Sequence, residues 1–159
     1  MPKESESKMQ NMLKAKVQAN KVSKEDLVRR FEEADANIAA AADGFEEWAL
    51  ADIASATQKI ENEKTDAKKR IRDVFRVVHD IKGQGTTFGY PAVTEIAGIL
   101  CDFMREGKVT LSPKQTQVIK LHLGALRLVL DQKLKGDNEA AKNLVKKLSI
   151  TASTVPPLR

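Results

Sequence analysis

A single cysteine, Cys101, stands in a chain of 159 residues. It excludes an internal disulfide framework and leaves no cysteine cluster for zinc. Aromatic side chains are also sparse, at 4%, and do not interleave with the lysines as a nucleic-acid stacking platform would require. No apolar run approaches the roughly 20 residues that span a bilayer, and no N-terminal stretch has the form of a signal peptide. Glycine and proline number only 8 and 5, too few for a collagen-like or low-complexity chain. Strand-period alternation, internal repeats and a Gly-rich nucleotide-binding loop are missing as well. These absences point to an all-α, cytoplasmic protein with no membrane and no nucleic acid among its partners.

Charge is abundant: 31% of residues are charged and the formal net charge is +5. Lys3, Lys8, Lys14, Lys16, Lys21 and Lys24 load the first segment, and Lys142, Lys146 and Lys147 load the last helix. The spacing reads as solvated helix surface.

Hydrophobic periodicity is helical throughout. Residues 1–20 carry a thin stripe of Met9, Leu13 and Val17. Ser23 and Asp26 form a capping pair that opens a helix over about 24–41 with Leu27, Phe31, Ala34 and Ile38 on one face, and Asp43-Gly44 is expected to end it. A second segment begins at Phe45 and runs through Trp48, Ala49, Ile53, Ala56 and Ile60. The next helix is expected over about 66–87, with Ile71, Phe75, Val78, Ile81, Gly85 and Phe88 as its buried face. Gly89-Tyr90-Pro91 closes it and opens a helix carrying Val93, Ile96, Leu100, Phe103 and Met104, which Gly107 stops. Ser112-Pro113 starts a helix that reaches about Lys135, and the last helix covers roughly 138–148. Short links between one-faced helices give an antiparallel four-helix bundle with additional N-terminal helices. The expected organisation is an extension over 1–44, a bundle over 45–149 and a loose tail over 150–159. Trp48, the phenylalanines and Cys101 are read as core, and His122, in an apolar helix, as a core or rim residue.

His79 lies outside that core. Arg72, Arg76, His79 and Gly83 follow one another at helical spacing on the solvent side of their helix. A neutral imidazole is a nucleophile near neutral pH without a separate base. Phosphoryl transfer depends mainly on alignment and on cations beside the phosphoryl oxygens, and Lys82 is placed as such a cation. Gly83, one turn above His79, leaves the approach to the ring open. Asp80 lies about 100 degrees around the helix and is a poor orienter, whereas a hairpin at Gly89-Tyr90 is expected to return Glu95 towards the ring.

The run His79-Asp80-Ile81-Lys82-Gly83, continuing to Phe88-Gly89, resembles the signature of histidine-containing phosphotransfer domains. Its flanks, Phe75-Arg76-Val77-Val78 and Thr87-Phe88-Gly89-Tyr90, are similar to the domain that begins the chemotaxis histidine kinases. The resemblance covers about residues 45–149. It implies that His79 is phosphorylated, with Lys82 and Gly83 as its neighbours and Glu95 as a carboxylate contacting the ring; Arg72 and Arg76, as a basic stripe beside His79, and Gln84 are read separately as partner contacts. The resemblance further implies exchange of the phosphoryl group with receiver-domain aspartates or a histidine kinase, with no intrinsic cofactor and with Mg2+ supplied by the partner's site. Asp80 and Gln84-Gly85 depart from the usual residues without breaking the pattern. Two other readings are a non-catalytic module that sequesters a receiver or kinase, and a domain of a larger chemotaxis-type kinase. The expected state is a monomer, with residues 1–44 as the segment through which a dimer would form.

Overall fold

A computed structural model describes residues 2–19, 22–105 and 110–158, apart from the side chains at 2–5 and 15–19. Its helices are α1 (Pro2–Ala19), α2 (Lys24–Glu61), α3 (Ala67–Gly85), α4 (Pro91–Met104), α5 (Pro113–Asp131) and α6 (Glu139–Thr154). No strand occurs among the described residues. Two compact units divide the chain, Met1–Ala39 and Ala40–Arg159.

Local signals account for four of the helix starts. The Ser23 hydroxyl accepts from the Asp26 N–H, and the Asp66 carboxylate caps α3 by accepting from the Lys69 N–H. Ser112 and Gln115 form a reciprocal capping box with Pro113 in the first turn of α5, and the Asn138 side chain caps α6. Each such cap stabilises its helix by roughly 1 kcal/mol.

Asp43-Gly44 does not stop a helix: α2 continues through it. Glycine lowers helix propensity by about 1 kcal/mol relative to alanine but does not forbid the conformation. The buried series Ala42, Phe45, Ala49, Ile53, Ala56 and Ile60 keeps one helical phase through Gly44, so packing of that face outweighs the local cost. The first compact unit, which includes the start of α2, ends at Ala39. Within it no described side chain is buried, and Phe31, read as core, is 69% exposed. Met9 and Leu13 are exposed too, while the side chain of Val17 lies outside the described residues. Gly107, read as the stop of α4, also lies outside them.

In the second unit, contacts at the helix ends fix an up-and-down order for α2 to α5. At one end the Arg70 guanidinium donates to the Ile60 carbonyl and Lys120 pairs with Glu61 at 2.6 Å. At the other, the Gly136 N–H donates to the Gly89 carbonyl and Tyr90 bonds to Glu46. The core between them includes Ile53, Val78, Ile81, Ile96, Leu100, Ile119, Leu123 and Leu126, each at or below 1% exposure. Each contributes about 1.5–3 kcal/mol of transfer free energy.

The segment read as a loose tail is ordered against this core. Helix α6 runs to Thr154, the Leu158 N–H donates to the Phe103 carbonyl at 2.9 Å, and the Leu158 side chain is buried. Pro156-Pro157 ends the helix but does not release the chain, because Leu158 supplies both an apolar anchor and a backbone bond.

Candidate functional site

Helix α3 separates two chemistries around its circumference. Ile71, Val74, Val78, Ile81 and Gly85 are buried, whereas Arg72, Arg76, His79, Gly83 and Gln84 are exposed and Lys82 is half-buried. Val74 takes the core position that the sequence reading gave to Phe75. Phe75 sits at the edge of the core, half-buried, and its ring stacks on the His79 imidazole with centroids 5.8 Å apart and planes 25° apart. The four-residue spacing of the two rings was a readable signal for this pair.

The two glycines do opposite things. A Cβ on Gly83 would meet nothing within 4 Å, so the surface one turn above His79 is open. A Cβ on Gly85 would lie 2.6 Å from Thr94 Oγ1, 3.0 Å from Thr94 N and 3.1 Å from the Tyr90 carbonyl. That close approach lets Thr94 finish α3: its hydroxyl oxygen accepts from the Thr86 N–H at 2.8 Å and from the Thr86 hydroxyl at 2.9 Å, and donates to the Lys82 carbonyl at 3.4 Å. Gly89, at φ +89°, provides the left-handed step of the turn.

Glu95 is not brought to His79. With Gly85 against Thr94 and the Lys82 stem against Gly98, the antiparallel register puts the level of His79 near Cys101. Glu95 falls near the level of Gln84, five residues or about 7.5 Å along the helix from His79. It lines a cleft of about 290 Å³ with Pro91, Asn138 and Lys142, and its charge helps to hold the Lys142 ammonium above the usual lysine range, after the larger effect of the Asp137 hydrogen bond. The sequence reading allowed too little for the residues consumed by the turn. Among the described residues no side chain hydrogen-bonds to the His79 ring, and its stacking partner is Phe75. Asp80 is exposed.

The other histidine is of a different kind. His122 is fully buried, and its Nδ1 lies 2.8 Å from the Val118 carbonyl oxygen, which fixes Nδ1 as the protonated nitrogen. Burial pushes its pKa down, with the Val118 carbonyl pulling the other way. Cys101 is likewise buried; burial raises its thiol pKa and the nearby Lys82 ammonium opposes that.

Sequence reasoning missed a polar cluster below the α3–α4 turn. Tyr90 donates its hydroxyl to Glu46 Oε1 at 2.5 Å, the Lys133 and Lys135 ammoniums lie 3.4 and 3.6 Å from the same carboxylate, and Lys135 stands over the Tyr90 ring at 5.3 Å. Burial alone would raise the Glu46 pKa; the Tyr90 hydrogen bond, then the two lysines, more than reverse that and leave it below the ordinary carboxylate value. Burial, then the Glu46 hydrogen bond, raises the Tyr90 phenol. The cluster ties α2 to both turns at this end of the bundle and so anchors the α3–α4 hairpin that displays His79. Phe45 and Phe88 stack beside it at 5.0 Å.

An exposed imidazole on a helix packed in a bundle, with a half-buried lysine three residues on and open space at the fourth, is an arrangement suited to accepting and releasing a phosphoryl group. Among the described residues no helix is long and apolar enough to cross a membrane. Neither curated proteins nor solved structures gave a match to the chain. The family model described as "Hpt domain" matches residues 31–132, which is more than half of the chain and takes in most of α2, all of α3, α4 and α5, and His79 with its surroundings. The chain belongs to the Hpt domain family, the histidine-containing phosphotransfer domains of two-component signalling.

Proposed function

We propose that this protein is a phosphorelay carrier in which His79 accepts a phosphoryl group and passes it to or from the aspartate of a receiver domain. The observation that carries the reading is the exposure of His79 on the outer stripe of α3, beside Lys82 and below the open surface at Gly83. A receiver's active site must come within bonding distance of a ring nitrogen, and a side chain at residue 83 would stand in its path. The Lys82 ammonium offsets charge on the phosphoryl oxygens during transfer. Arg72 and Arg76 extend positive charge along the same stripe and favour encounter with an acidic receiver surface. Mg2+ belongs to the receiver's or kinase's site, and a histidine kinase is the expected ultimate source of the phosphoryl group.

The test is incubation of the chain with phosphorylated receivers, followed by detection of acid-labile label. Wild-type protein is expected to take up label, and His79→Gln protein none. Label retained by His79→Gln would overturn the assignment of the residue, and stable receiver binding without label on the wild type would replace the carrier with a binding module.

A further inference from the structure

We propose that Phe75 is the positioning residue of His79, holding the plane of the imidazole by stacking where a carboxylate does not reach the ring. The inference rests on the carrier reading. Among the described residues the ring accepts and donates no side-chain hydrogen bond, and Glu95 is turned to the cleft with Lys142. The ring stacks on Phe75, 5.8 Å away between centroids and 25° from parallel. Phe75 is itself packed against the core, so it is a firm surface, whereas an exposed histidine without a partner samples several rotamers.

Stacking is compatible with the chemistry. The lone pair of an imidazole nitrogen lies in the ring plane, so a neighbour covering one face leaves the line of attack free. A half-turn about the Cβ–Cγ bond preserves the stack while placing each nitrogen where a ring carbon stood, so Phe75 fixes the plane and leaves to the partner which way round the ring is turned. In transfer from an aspartyl phosphate, the ring nitrogen's lone pair forms the N–P bond. The P–O bond to the aspartate breaks, and the carboxylate leaves with the bonding pair. The ring is then cationic until the other nitrogen releases its proton to solvent. A cation over an aromatic face is attracted by the negative face of the ring, so the stack strengthens as the N–P bond forms. Interactions of this type correspond to roughly 2- to 10-fold in rate.

The experiment compares wild-type, Phe75→Leu and Phe75→Tyr full-length chains. Each is labelled from phosphoramidate, a small donor with no docking surface, and from a phosphorylated receiver, and the His79 ring protons are followed by NMR. The wild-type ring protons are expected upfield of a free imidazole because of the Phe75 ring current. Phe75→Leu moves them to the free position and slows labelling from both donors by roughly 2- to 10-fold, and Phe75→Tyr restores both. An unshifted His79 ring in the wild type overturns the proposal even if the leucine variant fails to fold. So does Phe75→Leu labelling as fast as wild type, or a loss confined to the receiver, which would make Phe75 a docking contact. A wild-type chain that neither donor labels is a separate result and overturns the carrier reading itself.

Discussion

The two sides of α3 differ in what a substitution there can change. The inner side, Ile71, Val74, Val78, Ile81 and Gly85, is determined by the helices it meets. The outer side, Arg72, Arg76, His79 and Gly83, meets solvent, and no requirement of the fold explains its residues. A histidine in the inner environment becomes His122, desolvated and bonded to the backbone. One on the outer side keeps a ring that can react. Stability should therefore follow the inner side and phosphotransfer the outer, with Gly85 falling on the inner side and Gly83 on the outer.

Gly85→Ala gives the largest effect expected of that division. The new Cβ would meet Thr94 Oγ1 at 2.6 Å and two backbone atoms at 3.0 and 3.1 Å, and backbone atoms of α4 yield only if the hairpin opens. Overpacking of this kind costs about 3 kcal/mol, and the better helix propensity of alanine returns only about 1 of it. Thermal unfolding should show a midpoint lower by several degrees. A midpoint equal to wild type would mean that the close approach of α3 and α4 is not a constraint.

A smaller effect is expected at Glu46, which anchors the hairpin from below. Its folded pKa is depressed from an ordinary value of 4.5, so its contribution is present above that value and is lost as pH falls through the folded pKa. Replacing a buried, charge-assisted hydrogen bond should cost about 1.5 kcal/mol at neutral pH. Glu46→Gln is thus expected to be less stable than wild type at pH 7, with the difference shrinking on acidification below the carboxylate range. Denaturant titrations at pH 7 and at pH 3 to 4 check this; a difference that grows on acidification would reverse the sign of the argument.

Glu46 also marks where the sequence stops being readable. The outer stripe, the motif around His79 and the caps at Ser23 and Ser112 are local, carried by spacings of three to eleven residues, and they are legible as such. Tyr90 and Glu46 are 44 residues apart, and nothing in the pattern of either segment pairs them. Glu95 shows the intermediate case. The hairpin could be read from Gly89-Tyr90-Pro91, but its register depends on how the turn is built, and that turn leaves Thr94 facing Gly85. The exposed Phe31 and the uninterrupted helix at Gly44 fail for a further reason: periodicity shows that a face is apolar, not what covers it, and a glycine's cost is local while the packing that outweighs it is not.

Gly83→Ala gives the smallest change in stability and the cleanest separation of the two sides. Nothing lies within 4 Å of the added Cβ, and the residue is in the last turns of α3, so alanine should stabilise the folded chain by about 0.5–1 kcal/mol through helix propensity and a less flexible unfolded state. The same methyl would project from the surface one turn above His79, where a receiver's site must approach. The variant is therefore expected to melt slightly higher and to exchange phosphoryl groups with receivers more slowly. Thermal denaturation and receiver labelling on one preparation measure both. A variant that is more stable and transfers as fast as wild type would show that the open surface at residue 83 is not part of the partner's path, and would shift the specificity of the outer side onto Arg72, Arg76 and Lys82.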